Sequence, residues 1–146
     1  MTSTLILLAA IALGDMDPAG ADAQAADVRL MQGDWMVRSM KVNGIKTPPE
    51  EFQTLFRTVT GTSYTVSRYS KQIVRGTFKL DAGKSPRTID STLIGAGNAE
   101  PLLGIYEFDG SVLRICNAPA GKPRPSDFQA KLGSGHTLTE WEPEAK

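Results

Sequence analysis

Apolar and polar residues alternate with a period near two along most of the chain from Asp27 onward. In "WMVRSMKV" (35–42), Trp35 and Val37 share one parity with Ser39 and Lys41. Met36, Met40 and Val42 share the other with Arg38. That alternation is imperfect but closer to a strand than to a helix. Asn43-Gly44 follows as a tight turn, because both residues tolerate positive φ. "QIVRGTFKLD" places Val74, Gly76, Phe78 and Leu80 on one face and Ile73, Arg75, Thr77 and Lys79 on the other. "TSYTVSRY", rich in β-branched and aromatic residues, reads as a strand, as do "RTIDSTLI" and "HTLTEWEP". "LLGIYEFDGSVLRICNA" reads as a hairpin turning at Asp109-Gly110. Within it, Leu103 and Ile105 compete with Tyr106 and Phe108 for the inward face.

"TPPEEFQTLF" breaks the pattern. Thr47 is placed as an N-cap, Pro48 as the first helical residue and Glu50 as the capping-box partner. Phe52, Leu55 and Phe56 then share a helical face, which predicts a two-turn helix over 48–56. "AGKSP", "GAGNAEP" and "PAGKPRPSD" read as loops. Seven or eight sequential antiparallel strands with one short helix leave no βαβ crossover. The expected fold is therefore all-β: an antiparallel up-and-down barrel of about eight strands, closed so that no edge is left unpaired.

The first 26 residues differ from the rest. "LILLAAIAL" (5–13) is too short to span a bilayer but has the length of a secretory signal core. Ala21-Asp22-Ala23 and Ala23-Gln24-Ala25 follow with cleavage-site spacing. "MTST" supplies no Lys or Arg, so the segment is positive there only through its amino terminus. The expected organisation is a signal peptide or a disordered extension over 1–26, then one domain over 27–146. The expected location is the periplasm or the exterior, with no stable membrane insertion after cleavage.

Composition narrows the chemistry. Sixteen basic and sixteen acidic residues cancel, so no general pull on nucleic acid or anionic lipid is expected. Cys116 is the sole cysteine and can form no internal disulfide. In "VLRICNAP" it reads as a packed core residue, with a reactive thiol as the alternative. His136 is the sole histidine. It reads as a strand-end polar residue; a general base or ligand contact is the functional alternative. One His and one Cys give a metal site little to work with, and no metal or cofactor is expected. "GAGNAE" precedes a strand rather than a helix and lacks a phosphate-binding context. In "GKPRPSDF", Arg124 could hold an anion through its forked donors. No Ser-His-Asp order stands out, so the reading leans away from an enzyme, with His136 and Cys116 as the catalytic candidates.

Gly33-Asp34-Trp35 resembles the G-x-W signature that opens lipocalin barrels, in which the tryptophan plugs the closed end. With "GTFKLD", "SPRTID", "LLGIYEFDGSVLRIC" and "GKPRPSDF…GSGH" in this order, the chain from Leu30 to Leu138 resembles an uncharacterised lipocalin-like domain family abundant in planctomycete-type bacteria. The resemblance implies a lipocalin-like barrel, often exported, with a histidine usual at position 136 and no established common activity. One feature departs from true lipocalins: "HTLTEWEPEAK" offers no arginine to lie across the tryptophan, which leaves Trp141 or the short helix as the plug. The expected role is binding of a small apolar or amphipathic molecule. Tyr64, Phe78, Tyr106, Arg124 and His136 are the expected contacts, and Gly33 and Trp35 are structural. A ligand-free interaction barrel and a small-molecule enzyme using His136 are the alternatives. Oligomeric state is not encoded legibly.

Overall fold

The structure, a computed structural model, describes residues 18–95, 97 and 100–145. The apolar run at 5–13 lies outside them. Nine strands form one antiparallel sheet: β1 (Gly33–Val42), β2 (Ile45–Lys46), β3 (Leu55–Thr60), β4 (Ser63–Arg68), β5 (Lys71–Asp81), β6 (Arg87–Leu93), β7 (Leu102–Asp109), β8 (Val112–Asn117) and β9 (Thr137–Pro143). The two-residue β2 is a flap on β1. The other eight close into an up-and-down barrel of the lipocalin-like kind, because β1 pairs with β9 from Trp35↔Pro143 to Val42↔Thr137. Closure gives each of these eight strands two neighbours and removes the exposed edge of the barrel.

The imperfect alternation in β1 has a local cause. The β1–β9 register passes from Val37↔Trp141 to Ser39↔Glu140, which leaves Arg38 as an extra residue in a bulge. Trp35 and Val37 face inward before it, and Met40 packs against the core after it. The ambiguity in "LLGIYEF" also resolves. Tyr106 faces inward, and Ile105 faces outward yet is buried. It lies with Cys116, Ala130, Leu138 and Phe128 beneath the long connection between β8 and β9. Both faces of β7 are covered, so alternation in its sequence carries no signal.

Two helices, α1 (Pro18–Leu30) and α2 (Pro49–Phe52), sit at opposite ends. The helix expected over 48–56 is a single turn. Its N-cap is Pro48, with no side-chain cap bond, in place of Thr47. Leu55 and Phe56 belong to β3, paired with Arg68 and Ser67. Residues 18–26, read as part of a leader or extension, form the first part of α1. Met31, just beyond α1, is fully buried, and its carbonyl accepts the Trp35 Nε1–H at 2.8 Å. Gly33 has φ +105, a conformation open to glycine, which turns the chain from this cap into β1. The α1 end of the barrel is thus closed. The opposite end, called the mouth, is framed by the β1–β2 turn, α2 with its buried Phe52, the β4–β5 turn and the ends of β6 and β8.

Candidate functional site

Arg57 lies in the middle of β3. Its register partners are Trp35 on β1 and Val66 on β4, which turns its side chain into the barrel. The residue is 6% exposed. Its guanidinium carbon stands 4.2 Å from the Tyr64 ring centroid, 5.8 Å from that of Trp141 and 6.0 Å from that of Phe78. The three rings form an aromatic cage around a cation. Nε and Nη2 are buried without a hydrogen-bond partner. Burial lowers the pKa of Arg57 to about 10, against a smaller upward pull from Tyr64. The group therefore remains protonated at neutral pH. A guanidinium offers five N–H donors in a planar fork suited to carboxylate or phosphate. Ring faces offset part of its desolvation but accept none of those bonds in their usual geometry.

The cage is held from behind. Gly76 on β5 faces Tyr64 across the strand pair, and a Cβ there would fall 2.9 Å from the Tyr64 ring. The missing side chain lets the ring lie flat against β5. Two further buried polar residues share the interior: Ser91, opposite Phe78, and Thr139, opposite Ile115. Toward the mouth, the inward positions Met40, Val66, Val74 and Leu93 are only partly buried.

The closed end carries a different polar cluster. Asp27 of α1 is buried and accepts from the Tyr106 hydroxyl at 2.6 Å and from Arg87 Nη1 at 2.5 Å. Burial first, then the Asp27 carboxylate, pushes the Tyr106 phenol well above its ordinary range. The hydrogen bond to Asp27 raises the pKa of Arg87. This cluster fastens α1 over the barrel end.

The residues singled out in the sequence fall into two groups. Tyr64 and Phe78 are in the cage, and Tyr106 is inside the barrel but committed to Asp27. Arg124 is on the outer wall, where Nη1 donates to Asp90 Oδ1 at 2.6 Å and to the Gly104 carbonyl at 2.8 Å. His136 stands at the head of β9; its N–H donates to Ser134 Oγ and its carbonyl accepts the Asn43 N–H. Cys116 is fully buried under the β8–β9 connection, and burial pushes its thiol up to about 11. A thiol so placed is almost wholly protonated at neutral pH. Among the described residues no cluster of His, Cys, Asp or Glu has the arrangement to hold a metal.

Arg57 and Asp27 were missed in the sequence. Arg57 had a signal: in "LFRTVT" it shares parity with Leu55 and Val59, both buried. Surface hollows of about 370 to 570 Å³ also mark the described residues, and the ones at Phe128, Phe52, Arg124, Ile94 and Leu55 are not lined by Arg57. No family model, curated protein or solved structure matches this chain.

Proposed function

We propose that the barrel is a binding module for a small amphipathic molecule with an anionic head. A carboxylate or phosphate would meet Arg57, and an apolar tail would lie toward the mouth. The observation that carries this reading is the caged Arg57 guanidinium, buried with two nitrogens unpaired. A lone buried charge costs several kcal/mol unless it is met by a counter-charge and hydrogen-bond acceptors. An anionic head supplies both, and Ser91 and Thr139 add hydroxyls on the same interior surface. Tail space comes from movement of Met40 or of Phe52 on the one-turn α2, at the end opposite the α1 cap.

Calorimetric titration with dodecanoate and dodecanol tests the reading. Dodecanoate binds at least tenfold more tightly than dodecanol, and Arg57→Met abolishes the difference. Equal binding of the two, or binding of neither, overturns it. The second outcome favours a ligand-free interaction barrel. Export is a further part of the proposal, supported by "LILLAAIAL" and the small residues after it. Mass analysis of protein from the native host finds a start between Ala23 and Asp27; an intact Met1 overturns export. Kinship with the uncharacterised lipocalin-like family is proposed on the segments that resemble it.

A further inference from the structure

Zero net charge hides a two-ended molecule. Of the large apolar side chains exposed among the described residues, Val42, Ile45, Tyr69, Ile73, Ile94 and Leu132 all lie at the mouth end, and Leu30 of α1 is the other. Tyr69 and Leu132 are each 77% exposed, and Ile45 is 65% exposed. Leu132 belongs to the long β8–β9 connection but is brought to the mouth. A Cβ on Gly44 would fall 2.5 Å from its backbone nitrogen, so only glycine lets the connection cross the β1–β2 turn there. Asn43 Oδ1 holds the crossing by accepting the N–H groups of Gly133 and Gly135.

Basic residues flank these tips in sequence. Lys41 precedes Val42, Lys46 follows Ile45, Arg68 precedes Tyr69, Lys71 stands two before Ile73, and Lys131 precedes Leu132. Glu50 and Glu51 of α2, Glu100, and Asp127, which stands 4.0 Å from Lys131, are acidic residues near this end. At the closed end Asp22, Asp34, Asp81, Asp109, Glu142 and Glu144 lie on or beside the turns and termini and outnumber Arg29, Lys84 and Arg87 there. Apolar tips beside lysine and arginine fit an anionic interface, where the tips enter the headgroup layer and the cations meet its charge.

We propose that the mouth end docks reversibly on an anionic lipid surface. The strands stand on their tips, the barrel opening faces the bilayer, and the acidic α1 end points away. This goes beyond ligand binding and rests on separate residues. Together the two readings name the bilayer as the source of the amphipathic molecule.

The test is co-sedimentation of the full chain with vesicles of phosphatidylcholine alone and of phosphatidylcholine with about one quarter phosphatidylglycerol. The protein binds the anionic vesicles and is released when salt shortens the screening length to about 3 Å. Each basic side chain near such a surface is worth about fivefold in partitioning, so Lys46→Glu with Lys71→Glu weakens binding more than tenfold. Tyr69→Ser with Ile73→Ser does the same. All four residues are exposed and contribute nothing to the barrel core, and circular dichroism checks that these variants fold. Arg57→Met binds the vesicles like the parent, whereas the rim variants keep the dodecanoate titration unchanged. Equal binding to both vesicle types, no binding, or rim variants that bind like the parent overturns the proposal. So does a dimer formed through this face in place of vesicle binding.

Discussion

Arg57 brings a full positive charge into a wall of leucine, valine and aromatic side chains, where the rings of Tyr64, Phe78 and Trp141 meet it. In the unliganded protein this is a net cost, since cation–π contacts return less than desolvation removes. Arg57→Met therefore raises stability to denaturant by about 1–3 kcal/mol while abolishing dodecanoate binding. A fall in stability would show instead that the guanidinium is a structural strut. Cys116 gives a second check. Its folded pKa, near 11, lies above the value near 9 of an exposed thiol, so the unfolded chain loses the proton first. The stabilising contribution is complete below pH 9 and disappears as pH rises toward 11, so stability falls by about 1 kcal/mol between pH 9 and 10. Cys116→Ala flattens that slope in denaturation curves taken at each pH. The residue scale is also where the sequence was least legible. Tyr64 and Phe78 announce themselves as aromatics on alternating strands, whereas an arginine on the inward parity of "LFRTVT" looks like a solvated residue until the register is known. Asp27 could not be read at all, because its partners Tyr106 and Arg87 lie 79 and 60 residues away.

At the scale of elements, pairing overrides propensity. The run from Pro48 to Phe56 has a helical spacing of apolar residues, yet the helix ends at Phe52. From Leu55 the chain pairs with β4, and the backbone hydrogen bonds of that ladder outweigh four further residues of helix. The bulge at Arg38 and the doubly covered β7 were illegible for a related reason: both depend on neighbours far away in sequence. Seven of the eight barrel strands, the Asn43-Gly44 turn and the Asp109-Gly110 hairpin were legible because they rest on local chemistry, whereas β3 was hidden because its first residues continue the helical spacing of 48–56. The helix α1 has one buried polar anchor beside the apolar packing of Val28 and Met31. Asp27→Ala removes the buried acceptor shared by the Tyr106 hydroxyl and Arg87 and costs about 1–3 kcal/mol. Tyr106→Phe costs less, and the double variant shows non-additivity of at least about 0.5 kcal/mol if the two act as one cluster. Trp35→Ala costs about 3–5 kcal/mol, because it removes a 4%-exposed ring and its bond to the Met31 carbonyl. A cost under about 1 kcal/mol would remove Trp35 from the closing of that end.

For the molecule as a whole, the decisive contact joins its two ends. β1 starts 15 residues after Pro18, β9 ends at Pro143, and their pairing alone converts a meander into a barrel. Val37 opposite Trp141, and Trp141 opposite Leu113, show that β9 also supplies an inward wall, including one ring of the Arg57 cage. The last strand is therefore required both for the core and for the candidate site. A chain truncated after Ser134 exposes the edges of β1 and β8 and opens the cage on one side. Exposed edges and a half-covered interior are a template for aggregation. The full chain is expected to unfold in a single cooperative transition, as small single domains do. The truncated chain is expected to show no cooperative transition, to bind a hydrophobic dye and to aggregate at micromolar concentration. Adding back a peptide of residues 135–146 restores the transition if closure is the missing element, since the peptide can pair with β1 and β8 as β9 does. A truncated chain that unfolds cooperatively without the peptide would mean that the other seven barrel strands hold an independent core and that closure contributes little to stability.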